Sequence, residues 1–208
     1  MGALMRIFLC LIMMVSFACA TFAASAPEQT VREAQRAIDT KNADRFEQLV
    51  DIQRILEAAT ELLLSEADKP NGLLPPILAL MLSSVKNSQA LDSLRALIAQ
   101  ETHAFVRYGV LSGNFAGTPE PSIRPGGMLA PLFGDVSMGR KALRVAGPAA
   151  PSGQDEVLLP VELQDYGNGN IYPLLLRLQW NAPDWRIVEI ANLPDIWTQI
   201  QAEAKAQR

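Results

Sequence analysis

The spacing of apolar residues changes once along this chain, and that change decides what it can fold into. From Val31 to Phe105 apolar residues recur three or four apart, which gathers them on one face of an α-helix. From Leu143 onward they recur at every second position, the period of a strand with one buried face. Helices followed by an antiparallel meander make an α+β protein, because a sheet with one apolar face must be covered.

Several short helices precede the switch. Ser25-Ala26-Pro27-Glu28 reads as a capping box opening the first, with Val31, Ala34 and Ile38 on its apolar face. Asn42 reads as the cap of a short second helix holding Phe46 and Leu49, and Asp51 as the cap of a third holding Ile52, Ile55, Leu56, Ala59, Leu62 and Leu63. Lys69-Pro70-Asn71-Gly72 stops it. Pro75 and Pro76 suit the first turn of a fourth helix through Leu82, since an early proline loses no intrahelical bond. A fifth runs from about Ser88 to Tyr108, with Leu91, Leu94, Ile98, Thr102, Phe105 and Gly109 in one stripe.

Residues 113–138 then contain nine Gly or Pro in 26 positions, yet include Leu129, Leu132 and Phe133. That composition predicts a loop lying against the body of the protein. Beyond it, Leu143 and Val145, then Val157 to Leu163, then Tyr172 to Trp180, alternate with other residues, and Trp185 to Ile190 form a fourth strand apolar on both faces. Tyr166-Gly167-Asn168-Gly169-Asn170 marks a hairpin, because Gly and Asn accept the positive φ of tight turns. Pro194-Asp195 opens a last helix through about Ala206. The expected architecture is therefore an N-terminal helical layer of four to five helices packed on a four-stranded antiparallel meander, then a C-terminal helix. Residues 24–112 form the helical part, 113–138 the Gly/Pro-rich loop and 139–208 the sheet and last helix, with 24–208 as one domain.

The N-terminus reads as an address. Arg6 is followed by an apolar run from Ile7 to Phe17 and then by small residues, the order of a secretory signal spanning residues 1–23. Eleven helical residues reach ~17 Å, short of a hydrocarbon core of ~30 Å. Cleavage falls after Ala20 or Ala23. The expected location is the periplasm or outside the cell, the alternative being an inner-membrane anchor formed by residues 7–26. Cys19 invites a lipoprotein reading, which the bulky Phe17 weakens. Both cysteines, Cys10 and Cys19, lie in this segment, so a cleaved chain would hold no thiol.

Helices first, then a meander closing on Trp185-Arg186-Ile187-Val188-Glu189-Ile190, resemble the nuclear transport factor 2-like cone, in which helices cover the concave face of an antiparallel sheet. The segment Ala37-Ile38-Asp39-Thr40-Lys41-Asn42-Ala43-Asp44-Arg45-Phe46-Glu47-Gln48-Leu49-Val50-Asp51-Ile52 is similar to the opening of the bacterial domain of unknown function 2939, a family of exported or membrane-anchored proteins. That family also tends to end in a Trp-containing strand followed by a Pro, as Trp185 to Pro194 do here. The resemblance covers these two stretches and supplies no catalytic residue.

Little in the chain points to chemistry. A net charge of -4 without a Lys/Arg cluster argues against a nucleic-acid partner. No His/Cys/Asp/Glu group has metal-ligand spacing, so neither metal nor cofactor is expected. The single His, His103, falls on the wet side of the fifth helix beside Asp92 and Arg107. Its one carboxylate on that face, Asp92, sits about three turns away (~16 Å). Gly126-Gly127 and Gly167-x-Gly169 lack the following helix a phosphate loop requires. The aromatic residues Tyr166, Tyr172, Trp180 and Trp185 lie in or beside adjacent strands. They are either cross-strand packing or the lining of a ligand pocket between helices and sheet. The expected function is a non-enzymatic exported binding or accessory protein for a small apolar ligand. One alternative is an envelope interaction module docking through residues 113–138 or the last helix, with an envelope protein as partner. A third is an enzyme on the cone scaffold. Membrane contact is expected only through an uncleaved N-terminal segment.

Overall fold

The computed structural model describes residues 26–67, 76–85, 87–120 and 139–206. The N-terminal segment, the helix stop at 69–72 and residues 121–138 of the loop lie outside the described residues. The fold is α+β. Helices α1 (Pro27–Asp39), α2 (Ala43–Leu49), α3 (Ile52–Ala67), α4 (Pro76–Ser83) and α5 (Ser88–Leu111) precede the strands β1 (Lys141–Val145), β2 (Ala150–Pro151), β3 (Glu156–Asp165), β4 (Ile171–Asn181) and β5 (Asp184–Ile190), and α6 (Leu193–Ala206) closes the order. The four main strands pair antiparallel in the order β1-β3-β4-β5, and the two-residue β2 adds to β3 beyond the end of β1.

Local chemistry explains the helix starts. Asn42 accepts a hydrogen bond from Arg45 N at 2.9 Å, and Asp51 accepts one from Arg54 N at 3.2 Å, as capping residues do. Asn87 caps α5 through Ala90 N at 2.8 Å. Ser25, where a capping box was expected, lies outside the described residues. Ala26 is the N-cap of α1, no side chain caps it, and Pro27 takes the first turn. Gly109 lies on the buried stripe of α5 for lack of a side chain: a Cβ there would sit 2.3 Å from the ring of Phe115. Phe115 meets Phe105 edge to face at 6.2 Å, and the backbone of Lys141 donates to Phe115 O at 2.8 Å. The chain after α5 thus lies on the body through its first residues.

The period-two face is the core. Leu159, Val161, Tyr172, Leu174, Leu176 and Leu178 are buried together with Val31, Ala34, Leu49 and Ile52 of the helices and Ile196 of α6. A register shift after Arg177 leaves Val188 as an extra residue between Glu189 and Ile187, which is why the adjacent Ile187 and Val188 are both buried. A second, smaller core stands off the sheet, where Leu94 and Ile98 of α5 meet Leu63 of α3 with Met81, Leu82 and Val85. A third cluster joins Val110 at the end of α5 to Ile38 and Ala43, so α5 packs on α1 and α2 with its last turns and behind α3 with its first half.

Proline sits inside two strands only where a neighbour strand is missing. The C=O of Pro160 accepts from Ala146 N at 2.9 Å, so the N–H this residue lacks would point at the gap between β1 and β2. Pro173 lies on the half of β4 beyond the end of β5, and its C=O accepts from the Asn192 amide at 2.8 Å. Side chains close the other open edges. Gln35 of α1 accepts from Leu143 N at 2.7 Å and donates to Lys141 O at 3.3 Å. Asp51 N donates to Ile187 O at 2.8 Å, Asn192 Oδ1 accepts from Leu175 N at 2.7 Å, and Gln199 donates to Ile171 O at 3.2 Å. Unpaired strand edges invite another chain, and here residues of the helices and of the turns that lead into them occupy these edges.

Candidate functional site

The four aromatic candidates do not converge. Trp180 and Trp185 face each other across β4 and β5, ring centroids 5.4 Å apart at 64°, beside the turn at Asn181–Asp184. Tyr172 lies eight residues back along β4, ~27 Å away at strand rise. Its hydroxyl donates to Glu203 at 2.8 Å and accepts from Asn168 at 2.9 Å, which uses its polar tip inside the protein. Tyr166 is half exposed beneath the guanidinium of Arg140, 5.4 Å from its ring centre. None of the four lines either cavity described next.

Both cavities flank the contact between α3 and α5. The first is an apolar pocket of about 210 Å³ among α3, α5 and α6. Leu56, Ala59, Leu62 and Leu63 form one wall, Ile98 another, and Leu193, Ile196, Trp197 and Ile200 the third. Thr102 lines it too, with its hydroxyl already donated to Ile98 O at 2.7 Å. The indole Nε1 of Trp197 is buried and has no hydrogen-bond partner among the described residues.

On the other side of the same helix pair lies an open cleft of about 480 Å³. Ala96, Ala99 and the buried Thr60 make a floor of small residues, so the helices leave a trough. Gln53, Glu57 and Glu61 form one rim; Arg95, Gln100 and His103 form the other. Arg95 is engaged twice, through Nε to Glu61 at 2.9 Å and Nη1 to Asp92 at 2.9 Å. Glu57 accepts from the Gln53 amide at 3.0 Å, and among the described residues no cation pairs with it.

His103 departs from the sequence reading, which found no carboxylate within reach. Its Nε2 lies 3.3 Å from Glu47 Oε1, on α2. Glu47 is itself gripped by Arg107 at 2.8 Å, and Arg107 by Asp44 at 2.6 Å; these two carboxylates hold the guanidinium pKa above its ordinary value, Asp44 contributing most. The imidazole thus stands beside a carboxylate held by Arg107, with its side chain 41% exposed toward the cleft. Asp92, the expected neighbour, turns to Arg95 instead.

The chain matches no family model, curated protein or solved structure.

Sequence reasoning missed Trp197, Glu57 and Glu47 for different reasons. Trp197 sits in a helix and carried no period-two signal. Glu57 is an ordinary charge on a helix face. Glu47 reaches His103 only because α2 crosses α5, a contact that local spacing does not encode. Among the described residues no group of His, Cys, Asp and Glu could hold a metal ion, and no helix is long and apolar enough to cross a membrane.

Proposed function

We propose that this chain is an exported, non-enzymatic binding protein that holds a small apolar molecule bearing one oxygen acceptor. The observation that carries this reading is the apolar pocket among α3, α5 and α6 with the Trp197 N–H buried in its wall and unmatched. A buried donor without an acceptor costs ~1–3 kcal/mol, which a ligand oxygen would recover after a small turn of the ring. The signal-like N-terminus and the resemblance to exported proteins support the location. The expected position between helices and sheet is here replaced by one among helices, because the sheet face is filled by its own core.

Hexan-1-ol tests the reading in a thermal unfolding series. A ligand present at 100 times its Kd stabilises by about 2.7 kcal/mol, a shift of a few degrees in a chain of this size. The transition should rise in the wild type and stay level in Ala59→Phe, whose ring fills the pocket. A wild type that gains nothing overturns the proposal.

The closeness of His103 to Glu47 supports a second reading, an acid–base enzyme working in the cleft, because general acid–base catalysis by an imidazole uses a carboxylate within reach.

A further inference from the structure

The cleft on the opposite side of α3 and α5 has a different chemistry, and it goes beyond the apolar reading. We propose that it binds a small organic cation with N–H donors at both ends, of the alkyldiamine class. At about 480 Å³ it falls within the range of small-molecule sites. What it offers a ligand follows from which of its polar groups are already engaged. The one guanidinium of the lining, Arg95, has both its forks turned to Glu61 and Asp92, so it has little left for an anion. Glu57 on the opposite rim has its charge unpaired among the described residues and only the Gln53 amide on it. His103 has Nε2 turned to Glu47, which leaves Nδ1 as the ring nitrogen for a molecule in the cleft, and with Nε2 carrying the proton Nδ1 accepts.

Apart from the Gln100 amide, which both donates and accepts, the groups left over are acceptors, one of them a full negative charge, and they stand on two different helices. Packed helices lie ~8–10 Å apart, so donors at the two ends of a short chain can reach Glu57 and His103 together. The methylenes between them would lie on Ala96 and Ala99, where no bulky side chain competes.

Titration calorimetry with butane-1,4-diamine, butane-1,4-diol and adipate at low ionic strength tests the proposal. The diamine should bind, the diol at least tenfold more weakly, and adipate not at all. Glu57→Gln, an exposed change that leaves the fold intact, should weaken the diamine at least fivefold, and His103→Ala should weaken it as well. Added salt should also weaken it, since the contact is between charges at the surface. Ala59→Phe should bind the diamine as the wild type does, which separates this site from the apolar pocket. Equal binding of diamine and diol, preference for adipate, or full diamine affinity in Glu57→Gln overturns the proposal. Loss of diamine binding in Ala59→Phe would move the binding to the apolar pocket and equally overturn it.

Discussion

A tyrosine hydroxyl in a protein interior behaves according to what surrounds it, and Tyr172 is the clearest instance in this molecule. Its ring is buried in the core face of β4 and its hydroxyl joins β4 to α6 through Glu203. Burial, and to a lesser degree the neighbouring Glu203 carboxylate, raises its pKa above the ordinary value, because the phenolate would be formed away from water and beside a negative charge. The folded chain therefore keeps this proton to higher pH than the unfolded chain does. The resulting stabilisation is whole below about pH 10 and is lost as pH rises through the raised folded value. An alkaline absorbance titration should show one phenol ionising late, and Tyr172→Phe should remove that phase. A titration unchanged by the substitution would mean the hydroxyl is not held as described. The sequence identified Tyr172 as an inward residue of an alternating strand, and that inward position is where it lies. It could not show that the hydroxyl is engaged by Glu203, because that contact depends on where α6 docks.

At the scale of elements, alternation and turn chemistry were readable while edge closure was not. β3 and β4 announce themselves because every second residue must be apolar to face the helices, and Leu159 and Leu176 are indeed buried against them. Asn42 and Asp51 were readable because a cap acts on its own first turn. Gln35, Asn192 and Gln199 carry no such mark. They are polar residues on helices or, for Asn192, in the turn just before one, and only the assembled sheet shows that each completes a strand edge. Asn192 does so with both ends of its amide, accepting from Leu175 N and donating to Pro173 O on the half of β4 that β5 does not reach. Removing it leaves the part-buried Leu175 N–H unmatched and returns the exposed Pro173 C=O to water. Asn192→Ala should cost about 1–3 kcal/mol in urea unfolding, with the slope unchanged. A loss within the ~0.5 kcal/mol usual for surface changes would show that water replaces the amide freely.

Among the described residues the buried apolar side chains form three clusters, a small one of Ile38, Ala43 and Val110 and two others of unequal size, and the apolar pocket lies along the seam between those two. The larger joins α1, α2, α3, the sheet and α6; the smaller joins Leu94 and Ile98 of α5 to Leu63 and to Met81, Leu82 and Val85. Leu56 and Ile196 belong to the first side of the seam, Leu63 and Ile98 to the second, and all four line the pocket. Segments with few buried apolar residues open at lower free energy than the main core. Amide exchange should therefore be ~10-fold or more faster at Leu82, Leu94 and Ile98 than at Leu159, Val161 and Leu178. A molecule in the pocket touches both sides of the seam, so it ties the opening of α4 and the first half of α5 to that of the sheet. Hexan-1-ol should slow exchange in α4 and α5 and leave the strands unchanged, and Ala59→Phe should slow it without any ligand by filling the same space. Uniform exchange across both cores would mean that the smaller core is as tightly held as the larger. Slow exchange in α5 that hexan-1-ol does not alter would detach the pocket from the motion it is placed to control.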